Sequence, residues 1–592
     1  MSTPTISEAT IRRNATPQSF ERGEAYYRSD SVVSLTQRGN TLQAEVEGSE
    51  DSPYHVTVRF DGGGLTATDC TCAYNFEGWC KHIVATLLVC VRQPDSIEER
   101  PTLVQLLDRL DPVQTQRLVQ DLVAEQPELI DAIDRHVSLI TAPIPKAASK
   151  KSVRRTSVDP APFRREVRQV FRSAVGYWEY EGGEEDPVTE DLLAIVQKAR
   201  DFTEQGDGNN ALVILEAITV ACVEDWDDVA DYGADTDEIA QALDEAWTEA
   251  ILSADLAPED TVDLRVNLEN WQDEWSVHFS MSLEALRQGW DDPALQNVLK
   301  GTITEFGAWH GEPPDYADDL ALIRLKILDR QERYQEYLYL AEAEGQTQQY
   351  LTMLGRLGRT EDAMQVAQTQ MTSMEEAFAL AQTLREQGAL EQALQIAQTG
   401  LSLPGNCGYN LATWTSDVAE GLGNRPVALS ARMAAFKHRP SFGDYQKVEE
   451  LAGERWSTVK TELLAAMRTY TGWGLEQSKV DVFLHEGLID DAIALVTDLH
   501  SYHGDLIHRV MDAAIADNPD WVIQNARRRA ESIMDAKKAE YYYHAINWLK
   551  KVRAAYIQSG RQSEWSAYRS KLMATHARKY KLMAMLQQRD MV

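Results

Sequence analysis

The feature that most constrains the fold is a group of four metal-ligand residues within thirteen positions of the chain. Cys70 and Cys72 form a Cys-x-Cys pair, seven residues follow, and Cys80 and His82 form a Cys-x-His pair. Structural zinc sites use four nitrogen or sulfur ligands in a tetrahedron and leave no coordination position open. Three thiols and one imidazole at this spacing therefore predict one structural Zn²⁺. The alternative interpretation is three redox-active or buried cysteines that lie near one another by chance.

The residues on either side of the first pair favour the zinc interpretation. Alternating apolar residues predict strands at 56–60 and 65–68, just before the first pair. If Cys70 and Cys72 continue this strand, their side chains point to the same face, because side chains alternate along a strand.

The second pair opens the apolar run 83–91, which predicts a helix. Cys80 and His82 would then lie at its first turn. Free backbone N–H groups and the positive end of the helix dipole favour thiolates there.

The ligand pattern resembles the SWIM-type zinc finger, whose signature is Cys-x-Cys, a variable spacer and Cys-x-His. Upstream, the sequence predicts a helix at 17–27 and short strands at 32–35 and 42–46, with turn sequences at 38–40 and 61–64. This order is similar to the sheet that frames the SWIM finger. The resemblance therefore covers residues 1–92, for which we expect a small α+β zinc-finger head.

The resemblance implies a DNA-binding or protein-interaction module. SWIM fingers are attached to chromatin-remodelling-type ATPases, to Mutator-type transposases and to bacterial proteins of unassigned role. This sequence has no ATPase motif and no recognisable transposase core. It therefore resembles the bacterial stand-alone kind.

Length and cysteine content limit the class of protein. A chain of 592 residues is too long for a single hydrophobic core, and its 43% of hydrophobic residues can supply several. Six cysteines in this length do not form a disulfide framework, and thiols must be reduced to bind metal, which favours the cytoplasm. The N-terminus has no apolar targeting segment, and the longest apolar run is about half a membrane span. We expect a cytoplasmic protein without membrane contact.

The net charge of −35 is unevenly distributed along the chain. Residues 171–320 carry −31, whereas residues 541–592 carry +8. Acidic runs are most often solvated faces, and the alternatives are a divalent-cation site or a surface that mimics nucleic acid. Because the acidic block repels phosphate, it is a poor candidate for contact with nucleic acid.

A Gly-x4-Ala motif recurs in the second half of the chain. It begins at Gly358 and Gly388, with looser copies at Gly206, Gly423 and Gly487. The offsets from 358 onward are 30, 35 and 64 residues, which fit a period of about 32, close to that of helix–turn–helix repeats of the tetratricopeptide type. Glycine permits the tight turn, and alanine lets the two helices approach closely. We therefore expect a mostly all-α region that forms an α-solenoid, and such arrays bind proteins.

Composition divides the rest of the chain. Residues 93–140 are expected to form a helical extension, and residues 141–162 a basic Pro/Ser linker. An acidic helical region at 163–345 and tetratricopeptide-like repeats at 346–560 are expected to follow. The segment 561–592 is expected to form one basic C-terminal helix, which either caps the repeats or contacts nucleic acid.

No motif for catalysis is present. The sequence lacks a phosphate-binding Gly-x4-Gly-Lys-Ser/Thr loop, a dinucleotide-binding Gly-x-Gly-x2-Gly after a strand, and His-Glu-x2-His. We predict no catalytic residues and no cofactor other than zinc. The favoured interpretation is a non-enzymatic interaction protein whose repeats bind a protein partner. The alternative is a DNA- or RNA-binding protein that uses the finger with the basic linker or tail, and we expect such binding to be weak because the head is net negative.

Overall fold

The structure is a computed structural model of the 592-residue chain. It forms two compact units, one of residues 1–111 with 397–592 and one of residues 112–396. The residues that the structure describes are 6–587 apart from 49–51, 77, 127–157, 182–187, 231–233, 305–306, 310–312, 471, 473, 498, 500–502 and 537.

A five-stranded sheet lies at the centre of the N-terminal head. Its strands are β1 (Val32–Arg38), β2 (Thr41–Val46), β3 (Tyr54–Asp61), β4 (Gly64–Cys70) and β5 (Glu98–Glu99). The strand order is β4-β3-β2-β1-β5, in which consecutive strands β1 to β4 pair antiparallel and β5 adds to β1 in parallel.

Helices cover the apolar face of this sheet. They include α1 (Glu8–Arg13), α2 (Pro17–Arg28) and α3 (Lys81–Arg92). The sequence explains where α2 begins, because the Thr16 side chain accepts the Ser19 N–H and proline stands at the first helical position. The core combines apolar residues of β2, β3 and α3, and the predicted α+β fold of the head is confirmed.

The remainder of the chain is mostly helical, as predicted. The helices α4 (Leu103–Leu107) and α5 (Pro112–Glu125) come first. The helices that follow within the second unit are Ala161–Glu181, Thr189–Glu204, Gly208–Asp225, Thr236–Ser253, Pro258–Trp275, Ser280–Gln288, Pro293–Leu299, Ala317–Arg330, Tyr334–Ala343, Thr347–Arg356, Thr360–Gln370 and Met374–Glu386. Leu390–Gly400 spans the division between the units, and the later helices of the first unit are Gly408–Gly421, Arg425–His438, Phe442–Ala452, Trp456–Thr469, Glu476–His485, Ile489–Val496, Gly504–Ala514, Pro519–Asp535, Tyr542–Gln558, Gln562–Thr575 and Tyr580–Leu586.

The recurring Gly-x4-Ala motif has the same local structure in all five copies. Each glycine lies between two helices with a left-handed backbone, at φ between +69° and +79° (Gly206, Gly358, Gly388, Gly423 and Gly487). A side chain is disfavoured in this conformation, so glycine is the natural residue at the turn. Each alanine is fully buried (Ala211, Ala363, Ala393, Ala428 and Ala492). The motif therefore marks the turn and the close contact of each helix pair, as the sequence predicts.

Two predicted segments need comment. The basic linker predicted at 141–162 lies largely outside the described residues. The single C-terminal helix predicted at 561–592 is wrong, because Gln562–Thr575 and Tyr580–Leu586 are separate helices. Between the two helices, the Lys579 ammonium donates to the Met534 carbonyl oxygen at 2.6 Å.

Buried charges join α1 of the head to three later helices of the same unit. We call Arg13, Asp417, Arg432, Asp444 and Lys447 the docking cluster. The Arg13 guanidinium donates to both carboxylate oxygens of Asp417, at 3.1 and 2.9 Å. Arg432 also pairs with Asp417, and it donates to Asp444 at 3.1 Å. Arg432, Asp444 and Lys447 are fully buried, so the cluster satisfies charges that water does not reach.

The sheet approaches the same helices at a second point. A Cβ atom on Gly421 would lie 2.4 Å from the carbonyl carbon of Gly63, in the turn between β3 and β4. The Lys447 ammonium also reaches the head, because it donates to the Ser7 hydroxyl at 3.0 Å as well as to Glu420 at 2.7 Å. The head therefore packs directly against the helices Gly408–Gly421 and Phe442–Ala452.

Candidate metal centre

The end of β4 and the start of α3 bring the four predicted ligand residues together. Cys70 is the last residue of β4, Cys80 is the N-cap of α3, and His82 lies in the first turn. The expectation that Cys72 continues the strand is wrong, because β4 ends at Cys70 and Cys72 lies in the bend that follows. This bend turns the chain, so that Cys72 reaches the group from the loop.

The donor atoms of Cys70, Cys72, Cys80 and His82 all lie within 4.8 Å of one another. The Cys70 Sγ and the His82 Nδ1 are 3.6 Å apart. In a tetrahedral site with Zn–S bonds of about 2.3 Å, two sulfurs are about 3.8 Å apart, and a sulfur and a nitrogen about 3.6 Å. The observed spacing fits this geometry after a small contraction. The four residues are positioned to bind one zinc ion.

Aromatic rings hold the imidazole of His82 in place. The Tyr54 ring stacks on it at a centroid distance of 4.2 Å, and the Tyr26 ring meets it edge-on at 5.4 Å. His82 is buried, and among the described residues its Nε2 has no hydrogen-bond partner. Metal-bound histidines usually have their second nitrogen fixed by a hydrogen bond. Here stacking fixes the ring, with Nδ1 directed at Cys70.

The pKa values of two of the thiols shift in opposite directions. A hydrogen bond from the Cys70 thiol is the main cause that lowers the pKa of Cys80 to about 4, and His82 and the Ile83 amide lower it further. The same hydrogen bond, together with burial, raises the pKa of Cys70. The protein alone thus favours a thiolate at Cys80 and a protonated thiol at Cys70. A bound Zn²⁺ would deprotonate every coordinating thiol and cross-link β4 to α3.

The loop between the two ligand pairs packs against α1. The Trp79 N–H donates to the Asn14 carbonyl oxygen at 2.6 Å. Gly78 has a φ of +82°, and a Cβ atom there would lie 2.8 Å from the same oxygen. Both the backbone conformation and the close approach therefore require glycine. Asn14 directly follows Arg13, so the metal loop contacts the backbone next to a residue of the docking cluster.

Comparison with known proteins agrees with this geometry. The family model of the SWIM zinc finger matches from Tyr54, at the start of β3, through Val91 near the end of α3. Residues 54–91 are a SWIM zinc finger. The match includes all four ligand residues of the finger and the Tyr54 ring that stacks on His82.

Curated relatives of the SWIM finger are much longer than this chain. Zinc finger SWIM domain-containing protein 8 of Homo sapiens is 31% identical over 121 residues, which are 20% of this chain and 6% of the human protein. The protein of the same name from Bos taurus has the same identity and length of match, with 8% of its chain covered. The homolog from Drosophila melanogaster is 31% identical over 118 residues. The chain thus spans less than a tenth of the length of these relatives.

Cys90 lies outside the group of four ligand residues. Cys90 is buried in the core of the head, and burial raises its pKa to about 12, which fits a packing role. Within the described residues, no helix combines the length and apolarity needed to cross a membrane.

Sequence reasoning missed Tyr54 and Gly78. The aromatic residue at the first position of the family match and the glycine before Trp79 were the signals that could have found them.

Proposed function

We propose that this chain is a zinc-binding, non-enzymatic interaction protein of the cytoplasm, of the bacterial stand-alone SWIM kind. Zinc stabilises the head, and tetratricopeptide-like helix pairs form a scaffold for a protein partner. Support comes from the four-residue metal centre, from the buried alanines of the five helix pairs, and from the similarity to proteins named for their SWIM domain. The three thiols serve as zinc ligands, and a thiolate held by zinc is not available as a catalytic nucleophile.

The observation that carries the proposal is the apolar surface of α5. Val113 is 75% exposed, and Leu118, Val119 and Leu122 are each more than a third exposed. Contiguous exposed apolar residues mark interaction sites in soluble proteins. Residues 118, 119 and 122 lie on one face of the helix, because they are spaced by three and four. We infer that this face packs against an apolar helix of the protein partner.

The described helices between 317 and 540 differ sharply from α5. Among the large apolar side chains described between residues 317 and 540, only Leu322 and Leu357, at the end of a helix, are more than a third exposed, at 40% and 38%. The helix pairs therefore bury their apolar residues within the scaffold. We expect α5 to supply the apolar contact with the partner.

The test is capture of the partner by the full-length chain with two matched double variants. Leu118→Glu with Leu122→Glu places charge on the apolar face, whereas Gln116→Glu with Gln120→Glu adds the same charge to the same helix. Each tagged chain is incubated with nuclease-treated lysate of the native host, and the captured proteins are quantified by mass spectrometry. We expect one or more proteins to be lost with the leucine variant and retained with the glutamine variant.

Two results would overturn the proposal. Identical capture by the parent and both variants would exclude α5 as the docking face. If the parent chain captures proteins from untreated lysate but none from nuclease-treated lysate, the alternative function, contact with DNA or RNA, is favoured instead.

A further inference from the structure

A cavity of about 700 Å³ lies among three helices of the first unit, Gly504–Ala514, Pro519–Asp535 and Tyr542–Gln558. Its volume falls in the range of small-molecule sites, about 300–1,000 Å³. It is unrelated to the metal centre in sequence, and the proposed function leaves it without a role.

Aromatic and imidazole rings form much of the wall of this cavity. Tyr541 and Tyr543 are about half exposed, at 46% and 51%, which is unusual for large rings beside a cavity. The His544 ring lies 3.8 Å from the Tyr543 ring and nearly parallel, at 23°, to the Tyr541 ring. Deeper in the wall, His508 stacks on Trp548 at 3.7 Å. Exposed ring faces of this kind are suitable for stacking with a planar ligand.

Two cations lie beside these rings, and neither pairs with a carboxylate of a described residue. Lys538 lines the cavity, and the Arg529 guanidinium lies 5.6 Å from the centre of the Trp548 ring. Within the described residues, Arg528, Arg529 and Lys538 form no ion pair with a carboxylate. Arg529 donates to the Leu499 carbonyl at 2.8 Å, and its Nε is buried with no hydrogen-bond partner. Burial, and then the nearby Arg528, lower the pKa of Arg529.

The charge of the surrounding segment points the same way. Residues 520–581 contain fourteen Lys and Arg but five Asp and Glu, in a protein whose net charge is −35. A positive region of this kind attracts anions. It disfavours a cationic ligand, which aromatic walls alone could otherwise accept through cation–π contacts.

Polar groups complete the cavity. The Asn547 side chain and the Asp505 carboxylate both line it. The His508 Nδ1 is buried without a hydrogen-bond partner among the described residues. An amide, a carboxylate and an imidazole are the groups that hydrogen-bond to the edges of a heterocyclic base or to the hydroxyl groups of a sugar.

We propose that this cavity binds a nucleotide, whose base stacks on the exposed rings of Tyr541 and Tyr543 and whose phosphate faces Lys538. A planar aromatic group joined to an anion matches both features of the wall. A free mononucleotide and a nucleotide within a single strand share this chemistry. The site does not involve α5, so it stands or falls independently of the proposed protein partner.

The experiment uses the full-length chain with two probes. Binding of AMP is measured by isothermal titration calorimetry, and binding of a fluorescein-labelled oligouridine by fluorescence anisotropy. Stacking of one base is worth about 1–3 kcal/mol, so Tyr541→Ala with Tyr543→Ala should raise the Kd about 5- to 150-fold. Tyr580→Ala is the matched control, because Tyr580 is 84% exposed in the same basic segment and does not line the cavity. Its Kd should equal that of the parent.

A second variant tests the charge and does not depend on the tyrosines. Lys538→Gln should weaken both probes and reduce the salt slope of oligouridine binding by about 1. Lys571→Gln, an exposed change in the same basic segment, should do neither. Binding of AMP would identify mononucleotides as the ligand source, and binding of the oligouridine alone would identify a single strand.

The proposal is overturned if neither probe binds at concentrations up to about 1 mM, which exceeds the range of non-specific contact. It is also overturned if the variants at Tyr541, Tyr543 and Lys538 bind as the parent does. Should the double tyrosine variant fail to fold, as judged by circular dichroism, Lys538→Gln against Lys571→Gln decides the question.

Discussion

The metal centre and the docking cluster are both buried polar groups in the first unit, but the chain assembles them in opposite ways. The metal centre takes four residues from thirteen consecutive positions. The docking cluster brings Arg13 of α1 to Asp417, which is 404 positions away. A short loop loses little conformational entropy on closing, whereas residues so far apart meet only after both folded regions exist. The metal centre can therefore form locally, and the docking cluster depends on the fold of the whole unit.

The two groups also balance their charges differently. One zinc ion satisfies all three thiolates at once. The docking cluster contains the fully buried Arg432, Asp444 and Lys447, and each depends on particular side-chain partners. Removal of one partner from such a group leaves a buried charge without compensation. We therefore expect loss of the zinc ion to disrupt the metal centre, and replacement of any one of its residues to destabilise the docking cluster.

The largest effect should come from the metal centre. Cys80→Ser should reduce zinc from one per chain to near zero and unfold the head, because structural zinc contributes about 10–16 kcal/mol of apparent binding energy in zinc-finger peptides. Metal content is measured by elemental analysis of freshly purified, reduced protein. Most of the helical circular dichroism should remain, since helix pairs are stabilised by packing against their neighbours.

Cys90→Ser is the matched control for that prediction, because Cys90 is buried in the same core but lies outside the group of four donors. It should keep one zinc per chain. Zinc loss in Cys90→Ser, or retention in Cys80→Ser, would contradict the ligand assignment.

The next effect should come from the docking cluster. Asp444→Ala removes the carboxylate that pairs with buried Arg432 and should lower the free energy of unfolding by about 3–5 kcal/mol. Replacing both residues, as Arg432→Met with Asp444→Leu, should recover much of this loss, because no charge then remains unpaired. Unfolding in urea, followed by circular dichroism, measures both.

Asp491→Ala provides the surface reference for the docking cluster. Its partner Arg468 is 46% exposed, and such pairs contribute about 0–1 kcal/mol. If Asp444→Ala costs no more than Asp491→Ala, the buried pair is not a stabilising contact of the folded protein.

A smaller effect should come from the close contact between Gly421 and Gly63, which involves no charged group. Gly421→Ala would place a methyl group 2.4 Å from the backbone of Gly63 and should cost about 1–3 kcal/mol through overpacking. In Gly176→Ala the added methyl meets nothing within 4 Å, and the helix should gain up to about 1 kcal/mol. Opposite signs of the two changes in urea unfolding are expected. A gain in both would mean that the sheet does not pack on Gly421 in solution.

The smallest effect should come from the turn at Gly388 between two helices. Gly388 has a φ of +79° and open space around it, so Gly388→Ala introduces backbone strain alone, about 1–2 kcal/mol. Gly388→Asn should cost less, because asparagine tolerates the left-handed conformation. The thermal midpoints of the two variants give the comparison. Equal losses would indicate that the turn does not hold this conformation.

The sequence predicts the parts of this structure that depend on neighbouring residues. Alternation of apolar residues locates β2 and β3, and the spacing of Cys70, Cys72, Cys80 and His82 alone identifies the metal centre. The glycine and alanine of each helix pair are likewise recognisable, because a turn and a close helix contact impose their requirements within six residues.

The remaining features arise from contacts between distant residues and leave no periodic signal. Arg13 has the appearance of a solvated charge on a short helix, and only the folded unit places it against Asp417. The bend at Cys72 and the end of a helix at Thr575 are likewise absent from the periodic pattern, and next to the latter Lys579 bonds to the distant Met534 carbonyl oxygen. The cavity beside Tyr541 also combines three helices, so no single segment of sequence predicts it.

The hydrogen bond from the Trp79 amide to the Asn14 carbonyl has a consequence for metal affinity itself. If zinc binding changes the position of Asn14 through this contact, and with it the neighbouring Arg13, occupancy of the metal centre and docking of α1 are linked equilibria, and linkage is reciprocal. Any factor by which zinc strengthens docking must equal the factor by which docking tightens zinc binding. A cell that runs short of zinc would then uncover the face of Gly408–Gly421, and a partner that binds this face would draw zinc out of the protein.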